Sequence, residues 1–502
     1  MVKPNQQREC TRADMKIFIT GATGFIGRAL VLRLRRDGHS IVAWVRDEKR
    51  AASKLGAGVE FLRVDCDDAT LARTLGDCAA VVNLAGEPLI GRWTAARRAR
   101  LAESRITVTQ RLVDAMAAAA RVPRVLVSGS AVGYYGDRGD ELVGENSTPA
   151  DDFLARLCRD WERSARRAED AGVRVVLLRT GIVLGRGGGA LARLLPLFRL
   201  ALGGPIGSGR QYMPWIHLHD EIEIIVRALD DERYGGPINA TAPNPVTNRQ
   251  FARALGSALR RPALLPLPGF AIKTAMGASS SVLLGGQCAM PGKLLELSFP
   301  FAFSTIDEAL HDILGRSASV GIRPVDAATA AFSDPHYLAS RRPTHELRAR
   351  TTVHAPIGEV FDFFSHPENL GIMTPASMGF AITNVSGPME DGTSISYCIR
   401  IAGVPVRWKT RIDAWEPGQR FVDAQITGPY ACWWHEHRFE ADGSGRTIME
   451  DRVLYAPPLG LFGRIANGLF ISDALRTIFA YRADAIGLRF GESAVREPER
   501  VA

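Results

Sequence analysis

Over the first third of the chain, short apolar runs alternate with stretches of helical period. Residues 17–20, 41–45, 61–64, 79–84, 125–127 and 173–178 read as strands. Residues 25–36, 94–120 and 152–171 repeat apolar positions every three or four residues and read as helices. Such alternation predicts a doubly wound parallel sheet of the α/β Rossmann type, with helices on both faces. Residues 181–300 gain Gly and Pro, with loops at 185–189 and 203–209, and read as a smaller substrate-side part of the same domain.

Around 315–344 periodicity is lost while Ser317, Ser319, Pro324, Pro335, Arg341, Arg342 and Pro343 gather, the signature of a linker. Beyond it the class changes to α+β. A strand-like run at 347–353 and a short helical stretch at 357–364 lead into strands rich in β-branched and aromatic residues, as far as Leu454. A long closing helix follows, with Phe462, Ile465, Leu469, Leu475, Ile478 and Phe479 on one stripe. The resulting division is a disordered lead-in at 1–14, a nucleotide-binding domain at 15–314, a linker at 315–344, a second domain at 345–492 and a tail at 493–502.

Composition narrows the classes. A chain of 502 residues, 46% hydrophobic and 23% charged, suits several globular domains. The net charge of +8 is scattered among acidic residues instead of forming runs, so no nucleic-acid partner is expected. Seven cysteines, an odd number with no CxxC pair, fit a reducing cytoplasm and no metal site. His217 and His219 have no third ligand nearby in sequence. No window offers the uninterrupted apolar run of a transmembrane segment, and the first residues lack the apolar core of a signal peptide.

The chemistry-bearing stretch is Thr20-Gly21-Ala22-Thr23-Gly24-Phe25-Ile26-Gly27, a strand entering a glycine-rich turn and a helix. Gly21 permits the tight turn, Gly24 lets backbone approach a pyrophosphate, and Gly27 allows close helix-on-strand packing. The N–H groups of Thr23, Phe25 and Ile26 belong to the same phosphate cradle. After the second strand, where an acid would hold the ribose of NAD, stands Arg46. It either pairs with the 2′-phosphate of NADP or is a surface arginine. Asp65 closes the third strand, within reach of an adenine amino group. Leu84, Ala85 and Gly86 close the fourth, where small residues let the backbone pass a cofactor. The expected cofactor is therefore NADP(H), with NAD(H) as the other choice.

With these motifs the chain resembles the extended short-chain dehydrogenase/reductase superfamily, in its nucleotide-sugar-epimerase-like subfamily. Further motifs carry the resemblance: Asn-Leu-Ala-Gly at 83–86, Glu-Ser-Arg-Ile at 103–106, Ser-Gly-Ser-Ala-Val-Gly-Tyr-Tyr-Gly at 128–136, Leu-Arg-Thr-Gly-Ile-Val-Leu-Gly at 178–185 and Pro-Trp-Ile-His at 214–217. Residues 261–312 look like the subfamily's short C-terminal module. The resemblance implies that Ser130 is catalytic and that Arg179 lies among the cofactor-binding residues. It also exposes departures. The helix that should bear Tyr-x-x-x-Lys reads Asp152-Phe153-Leu154-Ala155-Arg156-Leu157-Cys158, and Arg105 stands where many members carry Asn. Tyr134 or Tyr135 could supply a phenol, with Tyr135 taken as the candidate, unless both are structural aromatics.

The second half resembles the START/Bet v 1-like helix-grip superfamily (SRPBCC, polyketide cyclase/dehydrase) through His-Ala-Pro-Ile-Gly-Glu-Val-Phe-Asp-Phe-Phe at 354–364 and its element order. That implies an apolar cavity for a hydrophobic ligand, with Trp408, Trp415, Trp433, Trp434 and His435 as wall candidates or plain core. The expected function is an NADP-dependent oxidoreductase or epimerase-like enzyme, acting on a small molecule and fused to a ligand-binding domain. The alternative is an NADP(H)-binding sensor that has lost Tyr-x-x-x-Lys.

Overall fold

The structure, a computed structural model, describes residues 14–491 apart from 316–319, 326–336, 339–340, 402–403, 459, 461–462 and 464–466. The lead-in up to residue 13, the tail, Ser317, Ser319, Pro335, Phe462 and Ile465 lie outside these residues, as does the side chain of Leu469.

Seven strands form the first sheet: β1 (Lys16–Thr20), β2 (Ser40–Val45), β3 (Glu60–Arg63), β4 (Ala80–Asn83), β5 (Val125–Ala131), β6 (Arg174–Thr180) and β7 (Gly236–Ala240). All pair in parallel, in the order β7-β6-β5-β4-β1-β2-β3. The order reverses between β1 and β4, which opens a crevice at their carboxyl ends where such sheets bind ligands. The strands read as continuous apolar runs because both faces are covered. Ile17 and Ile19 pack into one core and Phe18 into the other.

The helices that frame the crevice are α1 (Phe25–Arg36), α2 (Glu48–Leu55), α3 (Ala95–Ala102), α4 (Val108–Ala117) and α5 (Phe153–Arg166). The single long helix expected over 94–120 is interrupted: a π-helical turn at Glu103–Thr107 joins α3 to α4. Such insertions recur at functional sites.

The second domain is a largely antiparallel eight-stranded sheet. Its strands are β8 (Val320–Pro324), β9 (His345–Val353), β10 (Ala381–Val385), β11 (Ser394–Ile401), β12 (Val404–Glu416), β13 (Arg420–Thr427), β14 (Cys432–Ala441) and β15 (Thr447–Ala456). Their order is β8-β9-β15-β14-β13-β12-β11-β10. A closing helix, α6 (Ser472–Phe490), lies against one face: Leu475 and Phe479 pack with Trp408 and Trp433, while Ile486 and Phe490 pack with Phe361 and Phe439. No helix among the described residues is long and apolar enough to cross a membrane.

The structure departs from two expectations. Part of the stretch read as linker is the edge strand β8, and Tyr337 donates a hydrogen bond to the Gln425 or Trp433 carbonyl, 2.7 and 2.9 Å away. Trp434 cannot share a cavity wall with Trp433 and His435, because strand alternation turns it to the opposite face, against Leu338 and Leu454.

The halves are joined by more than a tether. Leu32 of α1 is buried in the second domain's core. Arg28, one turn beyond the glycine-rich loop, donates to the carbonyls of Gly371, Ile372 and Thr374. Arg186 pairs with Asp484 of α6 at 2.7 Å, and the Ser377 amide donates to the Gly187 carbonyl at 3.0 Å.

Candidate functional site

The turn between β1 and α1 is built for close backbone approach. Gly21 has φ +69°, a left-handed conformation, and a Cβ there would stand 2.6 Å from the Leu84 carbonyl oxygen. A Cβ on Gly27 would meet the Gly21 carbonyl at 2.3 Å, so the helix packs directly on the turn. The Gly24 amide closes the turn onto Gly21 at 2.9 Å. No side chain caps α1, whereas Asp47 caps α2 by accepting the Arg50 amide. The free N–H groups and positive dipole end of α1 therefore face the crevice and suit a phosphate.

Below this turn a buried polar chain fixes the strand ends. Thr20 donates to Asn83 at 2.7 Å and accepts the Ala85 amide at 3.1 Å. Asn83 in turn donates to Thr109 at 2.8 Å, and the Trp161 indole donates to that same hydroxyl at 3.0 Å. Leu84 and Ala85 thus meet Gly21 at the mouth of the crevice. Against Gly86 lies Arg105 of the π-helical turn, 3.0 Å from where a Cβ would be. Its guanidinium donates to the Glu87 carbonyl at 2.9 Å and stacks over the Trp161 ring at 5.4 Å.

Arg46 is exposed at the end of β2. With Arg28, Arg50 and Lys54 it makes this flank basic. Burial lowers the Lys54 pKa, and repulsion from Arg50, Arg28 and Arg46 adds to the shift. Asp65 is 62% exposed at its side chain and pairs with Arg63, whose hydrogen bond holds its carboxyl below the usual range.

A second buried network lies at the carboxyl ends of β5 and β6. Ser130 donates to Glu162 of α5 at 2.6 Å, and Arg179 clasps that carboxylate with two bonds of 2.8 and 2.9 Å. The other edge of Arg179 donates to the Tyr135 hydroxyl at 2.9 Å and the Glu145 carbonyl at 3.0 Å. Tyr135 donates to Asn239 at 2.7 Å, and Asn239 donates to the Met290 carbonyl of the C-terminal module at 2.9 Å.

This changes two assignments. Tyr135 is fully buried, its hydroxyl is committed on both sides, and burial raises its pKa, so it is a structural phenol instead of a proton relay. Arg179 is 3% exposed and is held by Glu162, Tyr135 and the Glu145 carbonyl, so in this structure it organises the site from below. Cys158, one helical turn before Glu162, has its thiol pushed up to about 12 by burial, with Glu162 adding, and is inert.

Sequence reasoning missed Glu162. Its signal was present: on α5 it falls on the buried stripe with Cys158, Trp161 and Ala165, and an acid on an apolar stripe needs a partner. The partner, Arg179, is on another element.

Comparison with known proteins fits this geometry. Residues 17–240 match the NAD dependent epimerase/dehydratase family, and residues 267–313 match a domain of unknown function, DUF1731. The "Epimerase family protein SDR39U1 homolog, chloroplastic" of Arabidopsis thaliana is 42% identical over 316 residues, which is 62% of this chain and 90% of that protein. The chain belongs to the epimerase family. Its human relative, "Epimerase family protein SDR39U1", is 37% identical across 60% of this chain and the whole of that one. The crystal structure of human SDR39U1 (isoform 2) with NADPH superposes with a TM-score of 0.54 at 35% identity, covering 60% of this chain and 99% of that one. Within this epimerase family chain the parallel sheet is Rossmann-like, and residues 267–313 supply the Met290 carbonyl that anchors Asn239.

Proposed function

We propose that the first domain binds NADP(H) across the β1–β4 crevice and catalyses an oxidoreductase or epimerase-like reaction on a small molecule. The observation that carries this reading is the preformed turn at 20–27, where Gly21 and Gly27 leave no room for a side chain and the start of α1 is uncapped. NADPH in the human relative's structure supports the choice of cofactor. The backbone of Gly21, Thr23, Gly24, Phe25, Ile26 and Gly27 holds the pyrophosphate, the basic flank at Arg46 takes the 2′-phosphate, Asp65 lies on the adenine side, and Leu84, Ala85 and Gly86 border the nicotinamide side.

When bound, the cofactor supplies or accepts the hydride. What the chain supplies is the Ser130 hydroxyl, held at 2.6 Å by the Glu162 carboxylate, as the group left to act where Tyr-x-x-x-Lys is lacking. The second domain, in this reading, is a helix-grip fold in which the sheet and α6 enclose a hydrophobic ligand. A cytoplasmic setting accords with the free thiols of the described cysteines.

Arg46→Glu tests the cofactor assignment. Replacing attraction by repulsion at a 2′-phosphate is expected to weaken NADPH by about tenfold to a hundredfold while changing NADH by less than about threefold. Fluorescence titration with both nucleotides reads the result. Equal losses for the two would remove Arg46 from the pocket.

A further inference from the structure

The face of the second sheet that packs on α6 carries a polar cluster of unusual composition. Antiparallel register sets His435 of β14 directly across from Asp423 of β13, and His437 of β14 directly across from Asp451 of β15. His435 and His437 are two apart on one strand, so all four side chains share a face. Both rings are at least nine-tenths buried, among Phe421, 4.3 Å from His437, and Phe479, 5.5 Å from His435.

Each ring meets both aspartates. Nε2 of His435 and Nδ1 of His437 lie 3.0 and 2.7 Å from one oxygen of Asp451. If each donates there, the opposite nitrogens, Nδ1 of His435 and Nε2 of His437, present lone pairs. Those nitrogens each stand 3.2 Å from one and the same oxygen of Asp423. Two lone pairs converging on a carboxylate repel unless something positive lies between them.

The spacing suits a cation. The three atoms lie within 4.8 Å of one another, and the two 3.2 Å edges match the roughly 3.3 Å between ligand atoms around a tetrahedral ion bonded at about 2.0–2.1 Å. Asp451 then plays the part that carboxylates play behind metal-bound histidines, fixing tautomer and ring orientation. Arg482 of α6 lies 3.3 Å from Asp451 and 3.0 Å from His437 Nδ1; with Nδ1 carrying the proton it gives to Asp451, the guanidinium turns its donors to the carboxylate and holds it in place. Asp423 keeps 18% of its side chain exposed, which gives an ion a way in.

We propose that Asp423, His435 and His437 form a binding site for one divalent first-row transition-metal ion, with Asp451 orienting both imidazoles. Two imidazoles and a carboxylate select a borderline ion such as Zn2+ over Mg2+ or Ca2+. Three protein ligands leave a fourth position for water or for an oxygen of a ligand held beneath α6.

The test uses the untagged full chain, stripped with a chelator and titrated with Zn2+ against a chromophoric indicator. One equivalent is expected to bind and to raise the melting temperature. Asp423→Asn and His437→Gln are each expected to weaken binding by at least about a hundredfold, and Asp451→Asn by about tenfold to a hundredfold. X-ray absorption at the zinc edge, which needs no variant, should show nitrogen and oxygen ligands with the scattering pattern of two imidazoles. A sulfur shell, or binding undiminished in the folded variants, would place the ion elsewhere and overturn the site. So would absence of stoichiometric binding to the folded wild type. In that outcome Arg482 donates to His437 Nδ1 across their 3.0 Å separation, and protons alone bridge the rings to Asp423.

Discussion

Glu162→Ala is expected to destabilise the protein by about 3–5 kcal/mol, because it removes one partner of a buried ion pair and leaves the other charge uncompensated. Arg179 and Glu162 are 3% and 6% exposed at their side chains, and water cannot replace the lost carboxylate. The loss extends to Ser130, whose hydroxyl donates to that carboxylate, and through Arg179 to the Tyr135 hydroxyl. Chemical denaturation with urea measures it. Glu162→Leu combined with Arg179→Met should recover much of the stability, since two apolar groups of similar volume need no partner. A single variant within about 0.5 kcal/mol of wild type would mean that solvent reaches the pair.

Gly371→Ala is expected to pull the two domains apart. A Cβ at this position would stand 1.4 Å from the Ser53 carbonyl oxygen at the end of α2, and the obstacle is backbone, not a flexible side chain. Gly371 also supplies one of the three carbonyls that accept from Arg28, so displacing it weakens the hold on a buried guanidinium of α1. The expected result is a larger radius of gyration in solution scattering and two separate thermal transitions where wild type shows one. An unchanged profile would mean that the short helix around 367–371 yields locally. For the same reason a cut between residues 316 and 319 should not yield two indifferent modules. The cut halves would expose Leu32 and the apolar residues that surround it.

The elements of the first domain were legible because their determinants are local. Strand, turn and helix at 17–36 follow each other without a gap, and each glycine has a role set by its neighbours in sequence. The sites that were not legible depend on register or on distant partners. His435 and His437 look unremarkable in sequence until pairing brings Asp423 and Asp451 to the same face. Glu162 and Arg179 lie on different elements and meet only through the order of β5 and β6. Tyr135 was attractive because a phenol follows Ser130 closely, but the 3₁₀ turn at Val132–Tyr135 folds its ring inward against Val143 and Ala289. The domain contact did leave a trace: every residue of α1 from Gly27 to Leu34 is buried, and a helix apolar on several sides must be covered on several sides. The edge strand Val320–Pro324 left none, because an edge tolerates the Gly, Arg and Pro that read as linker.

The most direct test of the central claim is calorimetric titration of NADPH into the full chain and into Gly24→Val. The glycine turn predicts one NADPH per wild-type chain, with micromolar or tighter affinity. For Gly24→Val it predicts no measurable heat from a variant that still melts cooperatively, because a branched side chain occupies the backbone's approach to the pyrophosphate. Equal affinity in the two proteins would contradict the account and leave the turn at 20–27 with a structural role alone.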